Sequence, residues 1–116
     1  MRAMPFGAHM SIAGGMHHAF EEGEAAGCEA LQVFTKSSNQ WKAKVLTDED
    51  LSLWRQAWAR HPGWPVVAHD SYLINLASPD GALWKKSIDA FHHEVERCDM
   101  LGIPHLIIHP GAHMGT

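Results

Sequence analysis

Short apolar runs alternate along the chain with longer stretches in which apolar residues recur at helical spacing. The apolar runs predict four strands, over residues 6–10, 30–34, 65–69 and 105–108. The longer stretches predict three helices, over residues 16–26, 48–60 and 80–101. Strands that alternate with helices of this length are typical of a parallel sheet with right-handed crossovers. The pattern therefore predicts an α/β fold.

Two of the predicted helices carry features that fix their limits or their buried face. Thr47 followed by Asp50 resembles a capping box at the start of the second helix. Leu51, Trp54 and Trp58 share one face of that helix, which we expect to pack in the core. In the third helix the expected core residues are Trp84, Ile88, Phe91, Val95 and Cys98.

Three of the predicted strands end in a histidine: His9, His69 and His109. Parallel neighbouring strands bring their carboxyl ends to one edge of the sheet, roughly 5 Å apart, and neutral imidazole is a common zinc ligand. A single histidine at a strand end is more often a hydrogen-bonded structural residue. Its repetition favours a metal shared by His69 and His109.

The connection after the second predicted strand, residues 35–41, is polar and long for its type, which is typical of functional loops. Lys36, Lys42 and Lys44 cluster there and are placed to meet a phosphate backbone, although lysines in a loop are more often simply solvated. The formal net charge of −4 by itself gives no support to a nucleic-acid partner.

The composition, 46% hydrophobic and 19% charged over 116 residues, is that of one globular domain. No apolar run approaches the ~18 residues that a membrane span requires, and the first residues lack the apolar core of a signal peptide. Cys28 and Cys98 do not form a paired framework, which suits a reducing compartment. We expect a cytoplasmic protein with no membrane partner.

The spacing of the strands matches repeated strand and helix units, and the candidate ligands lie at the edge where (β/α)8 barrels place their active sites. No helix is predicted after the fourth strand. We therefore interpret residues 1–116 as a single partial TIM-barrel domain, the N-terminal portion, truncated after the fourth strand and lacking the C-terminal half of the barrel. Its last strand would then offer an unpaired edge.

Four segments together resemble a known family. They are GAHMS at 7–11, FTKSSNQW at 34–41, HDSYLINL at 69–76 and HPGAH at 109–113. In this order they are similar to the endonuclease IV family, also called deoxyribonuclease IV or family 2 apurinic/apyrimidinic endonucleases. The resemblance covers nearly the whole chain, and the HDSYLINL segment is its most specific part.

The resemblance implies a base-excision-repair hydrolase on a xylose-isomerase-like TIM barrel. Such enzymes bind double-stranded DNA and cut the phosphodiester 5′ to an abasic site. Their cofactor is a cluster of three zinc ions, of which His69 and His109 match two protein ligands, so this chain carries at most a partial site. His9 matches a residue that lines the active site, and no general base is implied in this segment.

The same resemblance implies DNA-binding residues. Tyr72 and Leu73 match side chains that the family inserts into the duplex near the lesion, and unstacking a helix requires apolar or aromatic groups of this kind. Lys36 and Asn39 lie in a segment that matches a DNA-contacting loop. Many relatives have arginine in place of Asn39, which weakens the expectation of a strong contact there.

Two other classes of function remain open from the sequence. A metal-dependent sugar isomerase or epimerase uses the same xylose-isomerase-like barrel, but a sugar pocket has little use for the apolar pair Tyr72 and Leu73. A non-catalytic fragment that binds a metal or a partner without turnover is the third possibility. If the chain acts alone, we expect it to lack nuclease activity, because a catalytic zinc normally has about three protein ligands.

Overall fold

The computed structural model describes residues 6–37, 40–109, 111 and 112. Strands and helices alternate along these residues as the sequence predicts. The elements are β1 (Gly7–His9), α1 (His18–Ala25), β2 (Ala30–Phe34), α2 (Asp48–Ala59), β3 (Val66–His69), α3 (Gly81–Leu101) and β4 (Leu106–Ile107). The bounds of β2 are as predicted, whereas β4 is half as long as the predicted strand.

The four strands form one parallel sheet in the order β1-β2-β3-β4. The register places His9 beside Gln32, Phe34 beside His69, and His69 beside Ile107. The carboxyl ends of all four strands therefore lie along one edge, and the side chains that end them are neighbours. This confirms the predicted α/β arrangement.

The core lies between the sheet and the first two helices. Phe20 of α1 and Trp54 of α2 are fully buried with ring centroids 4.8 Å apart, and Trp58 packs against them at the margin. The Trp54 indole also donates a 2.9 Å hydrogen bond to the carbonyl of Leu101 at the end of α3. The predicted buried face of α2, including Leu51, is confirmed.

The start of α2 is a complete capping box. The Thr47 hydroxyl accepts from the Asp50 amide at 3.1 Å, and the Asp50 carboxylate accepts from the Thr47 amide at 3.0 Å. Two backbone amides that have no partner within the helix are satisfied in this way.

Replacing Thr47 by alanine removes one of these bonds and is expected to lower the free energy of unfolding by about 1 kcal/mol. Urea denaturation followed by circular dichroism measures the change. Thr47→Ser keeps the accepting oxygen and should stay within a few tenths of a kcal/mol of the wild type; an equal loss in both variants would show that the cap is not the cause.

The predicted core face of α3 is wrong. Trp84 is 47% and Val95 44% exposed, and of the predicted stripe only Cys98 is buried. The inward side of the helix instead carries three polar residues, Ser87, Glu94 and Arg97. Near the end of the helix Cys98 and Leu101 are buried as well. The physical reason is that α3 lies under the loops that follow β2 and β3, whose backbone groups require buried hydrogen-bond partners.

Both cysteines are free thiols, as expected. Burial, followed by the nearby Glu94 carboxylate, raises the pKa of Cys98 to about 11, so this thiol stays protonated and unreactive near neutral pH. Among the described residues, no helix combines the length and apolarity needed to cross a bilayer.

Candidate metal centre at the carboxyl edge of the sheet

A row of rings runs across the carboxyl edge of the sheet. The His9 ring lies 4.5 Å from Phe34 between centroids, and Phe34 lies 5.7 Å from His69. His69 and His109 are 4.9 Å apart. The strand order thus brings together His69 and His109, while Phe34 separates them from His9.

The His69 and His109 rings have a spacing that suits a shared metal. With zinc–nitrogen bonds of about 2.0 Å in tetrahedral geometry, the centroids of two imidazoles lie about 5 Å apart. Nδ1 of His69 lies 2.8 Å from the carbonyl oxygen of Asp70. A carbonyl only accepts, so Nδ1 carries the proton and Nε2 keeps its lone pair for a metal.

Asp70 is a residue that the sequence analysis did not assign to the site. Its side chain is 2% exposed, and its Oδ1 lies 3.5 Å from His69 Nδ1. Its Oδ2 is buried without a hydrogen-bond partner in the part of the chain that the structure describes. Such an acceptor calls for a cation or an ordered water nearby. Its position directly after His69 is the sequence feature that could have indicated this role.

Two opposing influences act on the Asp70 carboxyl. Burial raises its pKa, and the nearby His69 and His109 act against that shift. A positive charge placed among these groups would favour the ionised carboxylate further. The donor set therefore fits a divalent cation.

The edge at which His69 and His109 lie opens into a cavity of about 290 Å³. Asn75 closes one side, because its Oδ1 accepts from the Ala112 amide at 2.9 Å and its Nδ2 donates to the Ala112 carbonyl at 2.9 Å. This pair of bonds ties the loop after β3 to the loop after β4. The lining residues are His69, Asp70, Ser71, Tyr72, Ile74, Asn75, His109, Gly111 and Ala112.

Within residues 6–37, 40–109, 111 and 112, no cluster of three or more His, Cys, Asp or Glu side chains has the arrangement of a metal site. The described residues thus supply a pair of imidazoles and an adjacent carboxylate, without a full set of ligands. The second histidine of the HPGAH segment, His113, lies outside the described residues.

Tyr72 stands at the rim of the cavity and is 71% exposed. Its ring makes an edge contact with Phe34, centroids 5.2 Å apart, and lies 6.1 Å from His69. Leu73 beside it is half-buried. Of this pair, Tyr72 is therefore the side chain that is exposed enough to contact a bound ligand.

Lys36 is placed differently from what its loop position suggests. It is 5% exposed, and its ammonium donates to the carbonyls of Gln40 and Trp41, the latter at 2.9 Å. Burial lowers its pKa. A contact with DNA would require this buried ammonium to become accessible, so the DNA-binding role of Lys36 stays a prediction. Asn39 lies outside the described residues.

His9 does not line the cavity of His69 and His109. The Gln32 amide donates to its Nδ1 at 3.0 Å, and the pKa of His9 is lowered by burial and then by the proximity of His69. His9 lies instead on a separate cavity of about 250 Å³, lined by β1, β2 and Val67 of β3. Its role in lining the active site also stays a prediction.

Glu94 of α3 supports the loop that carries Asp70 and Tyr72. Its carboxylate is 1% exposed and accepts from the Ser71 amide with both oxygens, at 3.1 and 3.2 Å. Three residues later, Arg97 donates through Nε to the Thr35 carbonyl at 3.0 Å and through Nη1 to the Lys44 carbonyl at 2.8 Å. One turn of α3 thus holds the loops after both β2 and β3.

Comparison with known proteins agrees with this architecture. Residues 20–116 match the family described as xylose isomerase-like TIM barrel. A probable endonuclease 4 from Geobacter sulfurreducens is 50% identical over 109 residues, which is 94% of this chain and 37% of the relative. One from Chloroflexus aurantiacus is 51% identical over 110 residues, 95% of this chain and 39% of the relative.

Among solved structures, endonuclease IV from Thermus thermophilus superposes with a TM-score of 0.87 at 35% identity, over 95% of this chain and 41% of that one. The chain spans 37% and 39% of the length of the two curated relatives. The predicted N-terminal barrel portion and the resemblance to endonuclease IV are both confirmed. This chain belongs to the xylose isomerase-like TIM barrel family, and within it its similarity is to the endonucleases 4.

Proposed function

We propose that this chain supplies the N-terminal strands of a metal-dependent endodeoxyribonuclease that hydrolyses the phosphodiester 5′ to an abasic site in double-stranded DNA. The observation that carries the proposal is the pair His69 and His109, 4.9 Å apart at the carboxyl edge of the sheet, with the exposed Tyr72 ring beside it. The names of the relatives, endonuclease 4, support the same class of reaction. A cytoplasmic location fits a repair enzyme of this kind.

His69 and His109 would hold a zinc ion, the metal that imidazole pairs commonly bind, in a site to which the complete enzyme contributes further ligands and two more zinc ions. Bound zinc supplies a water of lowered pKa and positive charge for the phosphate and the leaving oxygen. Asp70 holds His69 in the tautomer that presents Nε2. The remaining ligands would come from other segments of the complete enzyme.

The exposed aromatic ring at the rim favours DNA over a sugar as the substrate. A sugar isomerase encloses a small polar molecule, whereas Tyr72 is 71% exposed and lies against Phe34 by one edge only. A side chain so placed can fill the space left by a missing base, and a missing base lowers the cost of opening the duplex.

A chimeric protein tests the proposed activity. In it, this chain replaces the matching segment of the Geobacter sulfurreducens relative, so that the remaining strands come from that protein. We expect the chimera to incise an oligonucleotide duplex with one abasic site on its 5′ side, and to lose this activity on chelation of the metal. The same duplex without the lesion is the matched substrate.

Two variants of the chimera separate the site from the fold. The double variant His69→Ala with His109→Ala should remove incision, whereas His92→Ala with His93→Ala, an exposed pair on α3, should leave it unchanged. Undiminished incision by the first double variant, or incision of both duplexes at equal rates by the parent chimera, would contradict the proposed function.

Replacing Tyr72 by alanine in the same chimera is expected to weaken binding to abasic DNA by about 10-fold, because stacking against one base is worth ~1–3 kcal/mol. Binding to undamaged DNA should change much less. Fluorescence anisotropy with the two duplexes measures both affinities, and Tyr72→Phe serves as the control that keeps the ring. Equal losses on both duplexes would contradict insertion at the lesion.

A further inference from the structure

A second cavity, of about 400 Å³, lies between the loop that follows β1 and the loop that follows β2. It shares no lining residue with the cavity of His69 and His109, so binding of a ligand in it does not depend on the proposed nuclease function.

Thr35 lines this cavity with a hydroxyl that is buried and has no internal partner among the described residues. The residue is 1% exposed, and its hydroxyl is buried without a hydrogen bond in the part of the chain that the structure describes. Its carbonyl, by contrast, accepts from the Arg97 guanidinium. A buried hydroxyl without a partner is destabilising, and a bound acceptor would remove that penalty.

The charges around the cavity are mainly positive, although the whole chain has a net charge of −4. Lys36 and Arg97 are buried and use their donors on backbone carbonyls, so they contribute charge more than hydrogen bonds. Lys42 and Lys44 are exposed at the cavity. Two carboxylates oppose these four cations: Asp50, which accepts from the Thr47 amide, and the buried Glu94, which acts electrostatically on Lys36 and Arg97. This balance favours an anionic ligand.

Apolar side chains and glycine backbone make up most of the rest of the lining, in which Ser37 and Gln40 are the other polar residues. Ile12, Met16, Val45 and Leu46 present aliphatic side chains. Gly15 has a φ of +143°, and a Cβ there would lie 2.8 Å from the His17 ring, so this position requires glycine and the lining here is backbone. A volume of this size with apolar walls and a few polar groups is typical of a site for a small organic molecule.

We propose that this cavity binds a nucleoside monophosphate group, with the phosphate taken by the cationic lining and the Thr35 hydroxyl and the base against the aliphatic wall. The group can come from a free nucleotide or from the phosphorylated 5′ end of a DNA strand. The chemistry is the same for both sources: a dianionic phosphomonoester joined to a flat, largely apolar ring system.

Nuclear magnetic resonance of the uniformly 15N-labelled chain tests the site directly, with the Gly14 and Gly15 amides as reporters. Titration with deoxyadenosine monophosphate should shift both signals saturably, and the affinity should fall as salt is added. Inorganic phosphate should bind more weakly, because it lacks the ring, and deoxyadenosine more weakly still, because it lacks the charge.

Thr35→Val is the decisive variant, since it keeps the shape of the side chain and removes only the hydroxyl. We expect it to weaken binding of deoxyadenosine monophosphate about 10-fold, the equivalent of one hydrogen bond to a charged group, while leaving the melting temperature of the free protein equal or higher. Lys42→Gln with Lys44→Gln should weaken binding at least as much. Both lysines are at the surface, so this double variant leaves the packing of the core unchanged. The charge-matched control is Arg60→Gln with Lys85→Gln, two exposed residues away from the cavity.

Unchanged affinity in both Thr35→Val and the Lys42 and Lys44 double variant would overturn the proposal, as would equal affinity for deoxyadenosine and its monophosphate. Absence of any shift at Gly14 and Gly15 would overturn it as well. Competition by a 5′-phosphorylated oligonucleotide, but not by its 5′-hydroxyl form, would support the site and assign the strand end as the source. Binding of the free nucleotide without such competition would support the site and assign the free nucleotide.

Discussion

Replacement of either His69 or His109 by alanine is expected to lower the affinity of this chain for zinc by about 100-fold or more. The described residues offer two imidazoles, and removal of one leaves a single coordinating ring. In metal sites, mutation of a residue that only supports a ligand already lowers metal affinity by about 10–100-fold, so loss of a ligand itself should cost at least as much. Competition against a chromophoric zinc chelator at fixed pH measures the affinity.

Asp70→Asn adds a finer test of the same site. The Asp70 carbonyl, which accepts from His69 Nδ1, is retained in this variant, and only the carboxylate charge is lost. We expect a loss of about 10-fold in zinc affinity. His92→Ala with His93→Ala, on the exposed side of α3, controls for binding by surface histidines. If this control removed as much affinity as His69→Ala, the metal would bind elsewhere.

Glu94→Gln is expected to make the chain more stable at about pH 8 and to flatten its dependence of stability on pH. Burial raises the pKa of Glu94 from 4.5 to about 7, and the Ser71 amide, Lys36 and Arg97 only partly oppose the shift. An acid with a raised pKa in the folded state binds its proton more tightly there than in the unfolded chain. Its contribution to stability is therefore complete below pH 4.5 and is lost as the pH rises through about 7.

The size of this loss follows from the shift, since each pKa unit corresponds to about 1.4 kcal/mol, and it amounts to ~3 kcal/mol. Urea denaturation at several pH values between about 5 and 8 measures it. Glutamine retains an oxygen that can accept from the Ser71 amide, so the variant removes mainly the charge. Glu96→Gln, an exposed glutamate on the same helix, is the matched control. A Glu94→Gln variant that lost stability in parallel with the wild type over this range would show that another group titrates, and Asp70, whose pKa is also raised, would be the first to test.

The elements and the edge at which the site lies were predictable because they depend on local patterns. The apolar run of β2 is bounded by polar residues on both sides, and its bounds were obtained residue for residue. The capping box of Thr47 fixes the start of α2 in the same way. That His69 and His109 meet follows from the parallel order of neighbouring strands, which the alternation of strands and helices implies.

The buried face of α3 was not predictable from hydrophobic spacing. That argument assumes that a helix buries its most apolar side, whereas α3 buries Glu94 and Arg97 because the loops above it present backbone amides and carbonyls. Nothing in the local sequence shows which loop will lie over which turn. The sequence pattern that corresponds to this face is a serine followed by a glutamate seven residues later and an arginine ten residues later, at Ser87, Glu94 and Arg97.

The position of Lys36 shows the same limit at the level of one side chain. A lysine in a polar loop is normally solvated, and only the path of the loop brings the Gln40 and Trp41 carbonyls to its ammonium. Asp70 was overlooked for a related reason. Its role depends on a carboxylate oxygen that is left without a donor after folding, and this is a property of the assembled edge.

The order of the strands has a consequence for how the chain is made. Within the described sheet, each of β2, β3 and β4 pairs with the strand that precedes it in the sequence, so its partner has already been translated. Domains generally fold from the N-terminal side as they are synthesised. On the ribosome, each strand and helix unit can dock on the previous one as it emerges, and the two histidines come together when β4 leaves the exit tunnel.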